Sequence, residues 1–282
     1  MRTLREIPAL RETLADVRRR GERIALVPTM GNLHDGHLAL VAASRELAEV
    51  VIATIFVNPM QFGAGEDLEA YPRTLDEDQA ALEAAGCDLL FAPDTATVYP
   101  RGLEAQTRIV VPDITDGLCG ASRPGHFDGV STVVGMLFNL VQPDIACFGE
   151  KDYQQLAVIR RMVDDLHFPT EVVGVPIVRA EDGLALSSRN GYLSAQQRAT
   201  APRLYQTLCE LSQALEAGEA TGATLASGYA RLQEAGFAPD YLELRAANLE
   251  PVTPKTREAV LLAAARLGKT RLIDNLTLTL PR

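Results

Sequence analysis

The sequence predicts an α/β protein: a Rossmann-like, doubly wound parallel sheet followed by a second, smaller α+β domain. Two observations carry this. Up to about residue 178, short and wholly apolar runs alternate with stretches of helical periodicity, the texture of βαβ units with strands buried on both faces. Beyond about Ser194 two helical stretches come first and three strand-like runs follow, which is the order of an α+β unit. The expected division is 1–177 for the first domain and 178–282 for the second.

Taking the chain in order, Leu4, Ile7, Leu10, Leu14 and Val17 repeat at helical spacing and stop at Arg18-Arg19-Arg20-Gly21, cations and then Gly as at a helix C-terminus. Ile24 to Val27 is a buried strand ending at Pro28. A helix starts near Asp35, a candidate N-cap, and carries Leu40, Ala43, Leu47 and Val50. Val50 to Val57 is the next strand, stopped by Asn58-Pro59. Met60 to Leu75 reads mostly as a long loop, Thr74 to Ala85 as a helix ended by Gly86, and Asp88 to Phe91 as a return to the sheet. A helix marked by Val130, Val133, Val134, Leu137 and Val141 closes at Pro143. Ile145 to Phe148 is the fourth strand, Leu156, Ile159, Val163 and Leu166 mark a further helix, and Val172 to Val178 is the fifth strand. The second domain carries helices near 195–217 and 223–235, then strands near Tyr241 to Arg245, Ala259 to Ala264 and Arg271 to Ile273. In open sheets of this kind ligands sit beyond the carboxyl ends of the strands.

Composition bounds the chemistry. With 282 residues, 47% hydrophobic and 23% charged, the chain can bury a sizeable core. No apolar run approaches the roughly 18 residues of a membrane span, and Met1 to Glu6 has no apolar signal region, so a cytoplasmic protein without membrane contact is expected. A net charge of −10 argues against broad nucleic-acid binding. Cys87, Cys119, Cys147 and Cys209 lack CxxC spacing and read as small buried hydrophobes rather than disulfides or zinc ligands.

The stretch Val27-Pro28-Thr29-Met30-Gly31-Asn32-Leu33-His34-Asp35-Gly36-His37 holds two glycines and half of the chain's four histidines. It lies between a buried strand and a helix start, where backbone N–H groups and the helix dipole favour anions. Gly31 and Gly36 would let a phosphate approach, and His34 and His37 would donate hydrogen bonds to it. As a lone HxxH the pair reads first as two partly buried imidazoles with backbone partners, and its position after a buried strand shifts the balance towards nucleotide; a zinc site lacks a third ligand nearby. Lys151, after the strand 145–148 and beside Gly149, suits charge developing on phosphates, or else is a solvated loop lysine. Asn58 and Gln61 past the strand 50–57 could pair with a small polar acid, or form an ordinary turn. Leu186-Ser187-Ser188-Arg189 offers hydroxyls and a guanidinium to phosphates, or caps a helix.

Several motifs in order carry a family resemblance. Pro28 to His37 resembles the HIGH-type signature of the nucleotidylyltransferase superfamily. Phe56-Val57-Asn58-Pro59-Met60-Gln61-Phe62, Tyr71-Pro72-Arg73-Thr74, Arg123-Pro124-Gly125-His126-Phe127, Phe148 to Gln155 and Leu186 to Asn190 are similar to the pantothenate synthetase family, densely over 1–195 and more loosely beyond. The resemblance implies ATP-dependent condensation of (R)-pantoate with β-alanine through a pantoyl adenylate, releasing pyrophosphate and then AMP. It implies His37, His34 and Lys151 as catalytic groups. It puts Met30, Gly31, Asn32, Leu33, His34, Asp35, Gly36, His37, Gly149, Glu150, Lys151, Asp152, Val178, Leu186, Ser187, Ser188 and Arg189 on ATP. Gln61 and Gln155 fall to pantoate, and Gln61 also to β-alanine. Gln155 and Val178 rest on the resemblance, since alone they read as a solvent-facing helix residue and a core residue.

Leu186 departs from the family where Met is expected, a change of similar size that should still cover adenine. Mg²⁺ is implied by ATP chemistry; Glu77 and Asp78 are candidate ligands that read equally as an exposed helical face. A homodimer is implied by the resemblance only, as is a smaller domain that closes over the active site. Glycine content makes residues 63–70 a candidate lid. Two rivals are another HIGH-type adenylyltransferase acting on a phosphorylated cofactor precursor, and a non-catalytic adenylate-binding module.

Overall fold

The computed structural model describes residues 1–63 and 65–281 and divides into two compact units, Met1–Glu150 with Val158–Pro176, and Lys151–Ala157 with Ile177–Arg282. The second unit therefore takes in a short piece of chain, 151–157, that the expected 1–177 domain would have kept.

In the first unit β1 (Arg2–Leu4), α1 (Ile7–Arg19), β2 (Ile24–Thr29), α2 (Asp35–Arg45), β3 (Val50–Ile55), α3 (Leu75–Ala84), β4 (Leu89–Phe91), α4 (Thr95–Val98), α5 (Cys119–Ser122), α6 (His126–Val141), β5 (Ile145–Gly149), α7 (Tyr153–Asp165) and β6 (Glu171–Val175) follow in order, with Tyr153–Ala157 of α7 belonging to the second unit. The six strands pair in parallel in the order β1-β4-β3-β2-β5-β6. This is the expected doubly wound sheet with one strand more than the sequence reading. Leu4 lies in edge strand β1, paired through Phe91, and not in the first helix; its helical spacing from Ile7 is coincidental. Ile24, Ala25, Leu26 and Val27 are wholly buried, as a central strand covered on both faces requires.

Strand order reverses between β2 and β5, so the loops after these two strands border the crevice where doubly wound sheets bind ligands. Pro28 marks the place. It lies inside β2, not at its end, opposite Thr54 of β3, while the β2–β5 ladder stops at Leu26. Thr29 accepts from Phe56 on the β3 side, so by the alternation of a parallel strand the amide position of Pro28 faces β5. A residue without an N–H is tolerated there because the ladder has already parted. At the far end of the sheet, Arg18 donates to the last carbonyls of α6, Val141 and Gln142, groups that a helix terminus leaves unpaired.

The second unit contains α8 (Ala195–Thr200), α9 (Arg203–Glu216), α10 (Thr221–Glu234) and the antiparallel sheet β7 (Phe237–Ala246), β8 (Glu258–Leu267), β9 (Thr270–Thr279), in the order β7-β8-β9. The single helix expected over 195–217 is two, because Pro202 cannot donate the intrahelical bond that would continue it. Each strand is longer than the apolar runs suggested, since hydrogen bonding continues through residues such as Pro239, Glu258 and Asn275 that lack an apolar signature. Leu204, Leu208 and Leu211 of α9 form one core with Leu242, Leu261 and Ala263 of the sheet. A half-hidden ion pair ties this sheet to the segment before α8. Arg179 makes two parallel hydrogen bonds to Asp274 of β9, 2.7 and 2.9 Å, and its guanidinium stacks 3.6 Å from the centre of the Tyr205 ring. Asp274 is only 4% exposed.

Removing one member of such a pair leaves a buried charge unpaired, at a cost of about 3–5 kcal/mol. Asp274→Ala is expected to lose stability on that scale, read as a lowered urea midpoint with the m-value unchanged.

Candidate active site

The turn after β2 is built by hydrogen bonds from three directions. The Thr29 hydroxyl accepts from Gly31 N at 3.2 Å and donates to the Thr54 carbonyl at 2.7 Å. Gly31 and Asn32 then adopt left-handed conformations, φ +82° and +51°, which turn the amides of Asn32 and Leu33 onto the carboxylate of Asp78 in α3, at 2.9 and 2.7 Å. Thr74 adds a third donor at 3.2 Å. Asp78 is 3% exposed. The expectation that it shares an exposed helical face with Glu77 is thus corrected: Glu77 is exposed, and Asp78 points inward to hold the turn. These amides are part-buried, and each left without its acceptor would cost up to about 1–3 kcal/mol, the scale for a fully buried group. Gly31 also has a steric role that the sequence reading did not give it. A Cβ there would lie 2.9 Å from Asp78 Oδ2 and 3.1 Å from Ile55 Cγ2, so the glycine makes room for this carboxylate.

At the start of α2 the N-cap is His34; Asp35, expected to cap, is the first helical residue and is exposed. His34 Nδ1 accepts from Gly36 N at 3.1 Å, and His37 Nδ1 accepts from His34 N at 3.3 Å, a capping box built from two imidazoles with ring centres 4.1 Å apart. The structure thus shows the half-buried pair with backbone partners. Because each Nδ1 accepts from a backbone N–H, the proton of each neutral ring resides on Nε2, which makes Nε2–H the donor. The dipole of α2 favours negative charge at this end.

Met30 connects this turn to Gln61. Past β3, a 3₁₀ turn (Pro59–Gln61) carries Gln61, whose Nε2 donates to the Met30 sulfur at 3.2 Å while its Oε1 accepts from Asn58 Nδ2 at 3.0 Å. Asn58, 1% exposed, also donates to Gly129 O at 3.0 Å and accepts from the Tyr99 hydroxyl at 2.6 Å. The Gln61 amide is thereby oriented, with its oxygen satisfied inside the protein and an N–H directed elsewhere. From α6, a Cβ on Gly129 would come within 2.5 Å of Met60 O and 2.6 Å of Gln61 Cα, so only glycine lets the helix approach this closely. His126 Nδ1 lies 2.8 Å from Gln61 O and must donate to it, which leaves Nε2 to accept from Arg123 at 2.9 Å. Arg123 in turn pairs with both oxygens of Glu66 at 2.7 Å. Burial pushes the Glu66 carboxyl up, but the hydrogen bond and charge of Arg123 outweigh it and bring the pKa down to about 2.

Of the segment 63–70 proposed as a lid, residue 64 lies outside the described residues, and Gly63 N donates to Glu66 at 3.2 Å. Gly149 ends β5 beside Val175; among the described residues no protein atom would touch a Cβ there. Glu150 follows it in the turn Glu150–Asp152. These are the site residues of the first unit.

In the second unit, the Lys151 ammonium is 3.8 Å from Asp152, and its carbonyl accepts from Asn275 Nδ2 at 3.0 Å. Asn275 follows Asp274, so the residue pair on β9 that grips Arg179 also holds the Lys151 backbone. Gln155 is half-buried in the first turns of α7. Leu186 N donates to Val178 O at 3.0 Å, which brings those two predicted contacts together, and Ser187 Oγ caps the turn Ser188–Tyr192 by accepting from Arg189 N at 3.3 Å. The sequence reading missed Asp78, Tyr99, Asn275 and the Glu66–Arg123 pair as supports. Only Arg123 and His126 carried a signal, as part of a motif without a role. Among the cysteines, Cys87, Cys119 and Cys147 are buried, as expected, and Cys209 is half-exposed; burial pushes the Cys87 thiol to about 11, which makes it a poor nucleophile. Among the described residues no group of three or more His, Cys, Asp or Glu forms a metal cage, and no helix is long and apolar enough to cross a membrane.

A doubly wound sheet with an imidazole-capped helix at its switch point is a Rossmann-like arrangement with a HIGH-type turn. The comparisons narrow this class. A family model described as pantoate-beta-alanine ligase matches residues 2–277. A pantothenate synthetase of Chromohalobacter salexigens is 65% identical over 100% of both chains, and one of Pseudomonas entomophila is 58% identical over 99% of this chain and 98% of its own. The crystal structure of the pantothenate synthetase of Thermus thermophilus aligns with a TM-score of 0.92 at 49% identity, covering 98% of this chain and 99% of that one. A Francisella tularensis pantoate-beta-alanine ligase, complexed with beta-gamma ATP and beta-alanine, aligns with a TM-score of 0.84 at 32% identity over 98% and 97%. The chain belongs to the pantoate–β-alanine ligase family.

The Glu66 contribution to stability is fully present above the ordinary carboxyl value near 4.5 and is lost as pH falls toward about 2. Glu66→Gln is therefore expected to be less stable than wild type above pH 4.5, with the difference closing between pH 4.5 and 2; urea unfolding across that range is the check.

Proposed function

We propose that this protein condenses (R)-pantoate with β-alanine to pantothenate at the expense of ATP, releasing pyrophosphate and AMP. The observation that carries the reading is the imidazole-capped turn at the sheet's switch point, in a chain 65% identical from end to end to a pantothenate synthetase.

Two displacements give this outcome. The pantoate carboxylate attacks the α-phosphorus of ATP, the bond from that phosphorus to the bridging oxygen breaks, and pyrophosphate leaves. The amine of β-alanine then attacks the acyl carbon of the pantoyl adenylate, the acyl–oxygen bond breaks, AMP leaves and the nitrogen sheds a proton. The carboxylate needs alignment and not deprotonation, so positioning and charge stabilisation lower the first barrier. His37 and His34, with Nε2–H as donor, hydrogen-bond the phosphates as charge shifts toward the leaving group. Lys151 supplies a full positive charge suited to phosphate oxygens. The remaining assignments follow the family resemblance: Met30 to His37, Gly149 to Asp152, Val178 and Leu186 to Arg189 for ATP, Gln61 and Gln155 for pantoate, and Gln61 for β-alanine. The oriented amide of Gln61 supports its part, because one N–H is left for a carboxylate or hydroxyl. Mg²⁺ entering with ATP would neutralise phosphate charge. The protein acts in the cytoplasm as a homodimer.

Pyrophosphate release from ATP is expected to depend on pantoate, with pantothenate and AMP appearing once β-alanine is added. Turnover of phosphopantetheine or nicotinamide mononucleotide in place of pantoate would sink the reading. His37→Ala and Lys151→Ala are each expected to slow single-turnover adenylate formation by about tenfold or more while the circular dichroism spectrum stays the same. An unchanged rate removes that residue from the mechanism.

A further inference from the structure

We propose that Asp78 is a positioning residue for the nucleotide turn: its carboxylate holds the amides of Asn32 and Leu33 both before and after ATP binds. The triphosphate is then received by the residues that follow, His34 to His37, and not by these two amides. This rests on the reading that the segment Met30 to His37 contacts ATP, and narrows the triphosphate contacts within it to His34 to His37.

Successive backbone amides that converge on one point in a turn are the geometry by which many loops take an anion. The amides of Asn32 and Leu33 converge in this way, yet the point of convergence is filled from within the protein, by Asp78 at 2.9 and 2.7 Å. The filling is tight, since a single added Cβ on Gly31 would already lie 2.9 Å from Oδ2. Nothing suggests a transient occupant. Asp78 is 3% exposed, sits in the first turns of α3 where the helix dipole favours a negative charge, and has Thr74 as a third donor. An internal anion at this point has two consequences. It fixes the path of Met30 to Leu33 without ligand, so the helix start and Gln61, which is bonded to Met30, are set before substrate arrives. It also repels a phosphate from the nest and directs it along the chain to the start of α2.

Amide hydrogen exchange on the intact protein tests both halves. Asn32 and Leu33 are expected to exchange slowly without nucleotide and at the same rate with a saturating α,β-methylene analogue of ATP and Mg²⁺. Fast exchange without nucleotide, or protection that appears only with the analogue, overturns the proposal. If the analogue shifts no resonance from His34 to Leu38, the ATP reading fails, while slow exchange in the free protein still upholds the clamp. Asp78→Asn sets an NH₂ group against one of the two amides. It should speed their exchange at least tenfold and lower kcat/KM for ATP at least tenfold, with KM for pantoate within twofold. A changed Mg²⁺ requirement with unchanged exchange would make Asp78 a metal ligand and overturn the positioning role. Should Asp78→Asn fail to fold, Thr74→Ala removes only the supporting bond, and it should raise exchange at Asn32 and Leu33 a few-fold; no change there counts against the clamp.

Discussion

The carboxylate of Asp78 and the two amides it accepts are the contact on which the β2–α2 turn depends. Three donors surround one buried charge, and two of them come from a segment that has left the sheet ladder and not yet entered the helix. Such a segment has no regular partner for its amides, and buried amides without partners are costly. Asp78 resolves that with a side chain from a helix more than forty residues away in sequence. The left-handed pair Gly31 and Asn32, the absence of a side chain at Gly31 and the burial of Asp78 are parts of a single solution.

From this turn the rest of the first unit's site follows by contact. Met30 bonds Gln61, Gln61 is oriented by Asn58, and Asn58 is held by Tyr99 and by the backbone of α6 at Gly129. A side-chain amide can present either face, and this chain of hydrogen bonds decides which one is offered. The carbonyl of Gln61 is held as well, by a neutral His126 whose other nitrogen accepts from Arg123. The histidines of α2 work the opposite way: both Nδ1 atoms accept, so both protons lie on Nε2. Histidines in two motifs thus carry opposite tautomers, each set by its backbone neighbour.

In the second unit the comparable element is the pair Asp274–Asn275 on β9. One side chain anchors Arg179, ahead of the segment 186–189, and the next holds the carbonyl of Lys151. Neighbouring residues on a strand point to opposite faces, which lets one short stretch serve two segments. These polar residues also explain why β9 was legible only at 271–273: the stretch that follows is not apolar throughout.

The sequence by itself determined the layered fold, because a strand buried on both faces must be apolar throughout and a helix on its surface must repeat at helical spacing; β2 to β5 stood out for that reason. It also singled out the turn after β2, where two imidazoles stand among glycines, but left open whether the pair caps a helix or meets a phosphate. Short or polar-edged elements were not legible: β1 has three residues, and its Leu4 happens to sit at helical spacing from Ile7. Supporting residues were not legible either, for Asp78 looks like any acid in a first helical turn, and Tyr99 like any buried aromatic. Only the tertiary structure could show that Asp78 faces the turn, that His34 and not Asp35 caps α2, and which tautomer each histidine adopts. Local pattern reflects burial and propensity, whereas the partner of a polar group depends on which distant segment the fold brings within hydrogen-bond range.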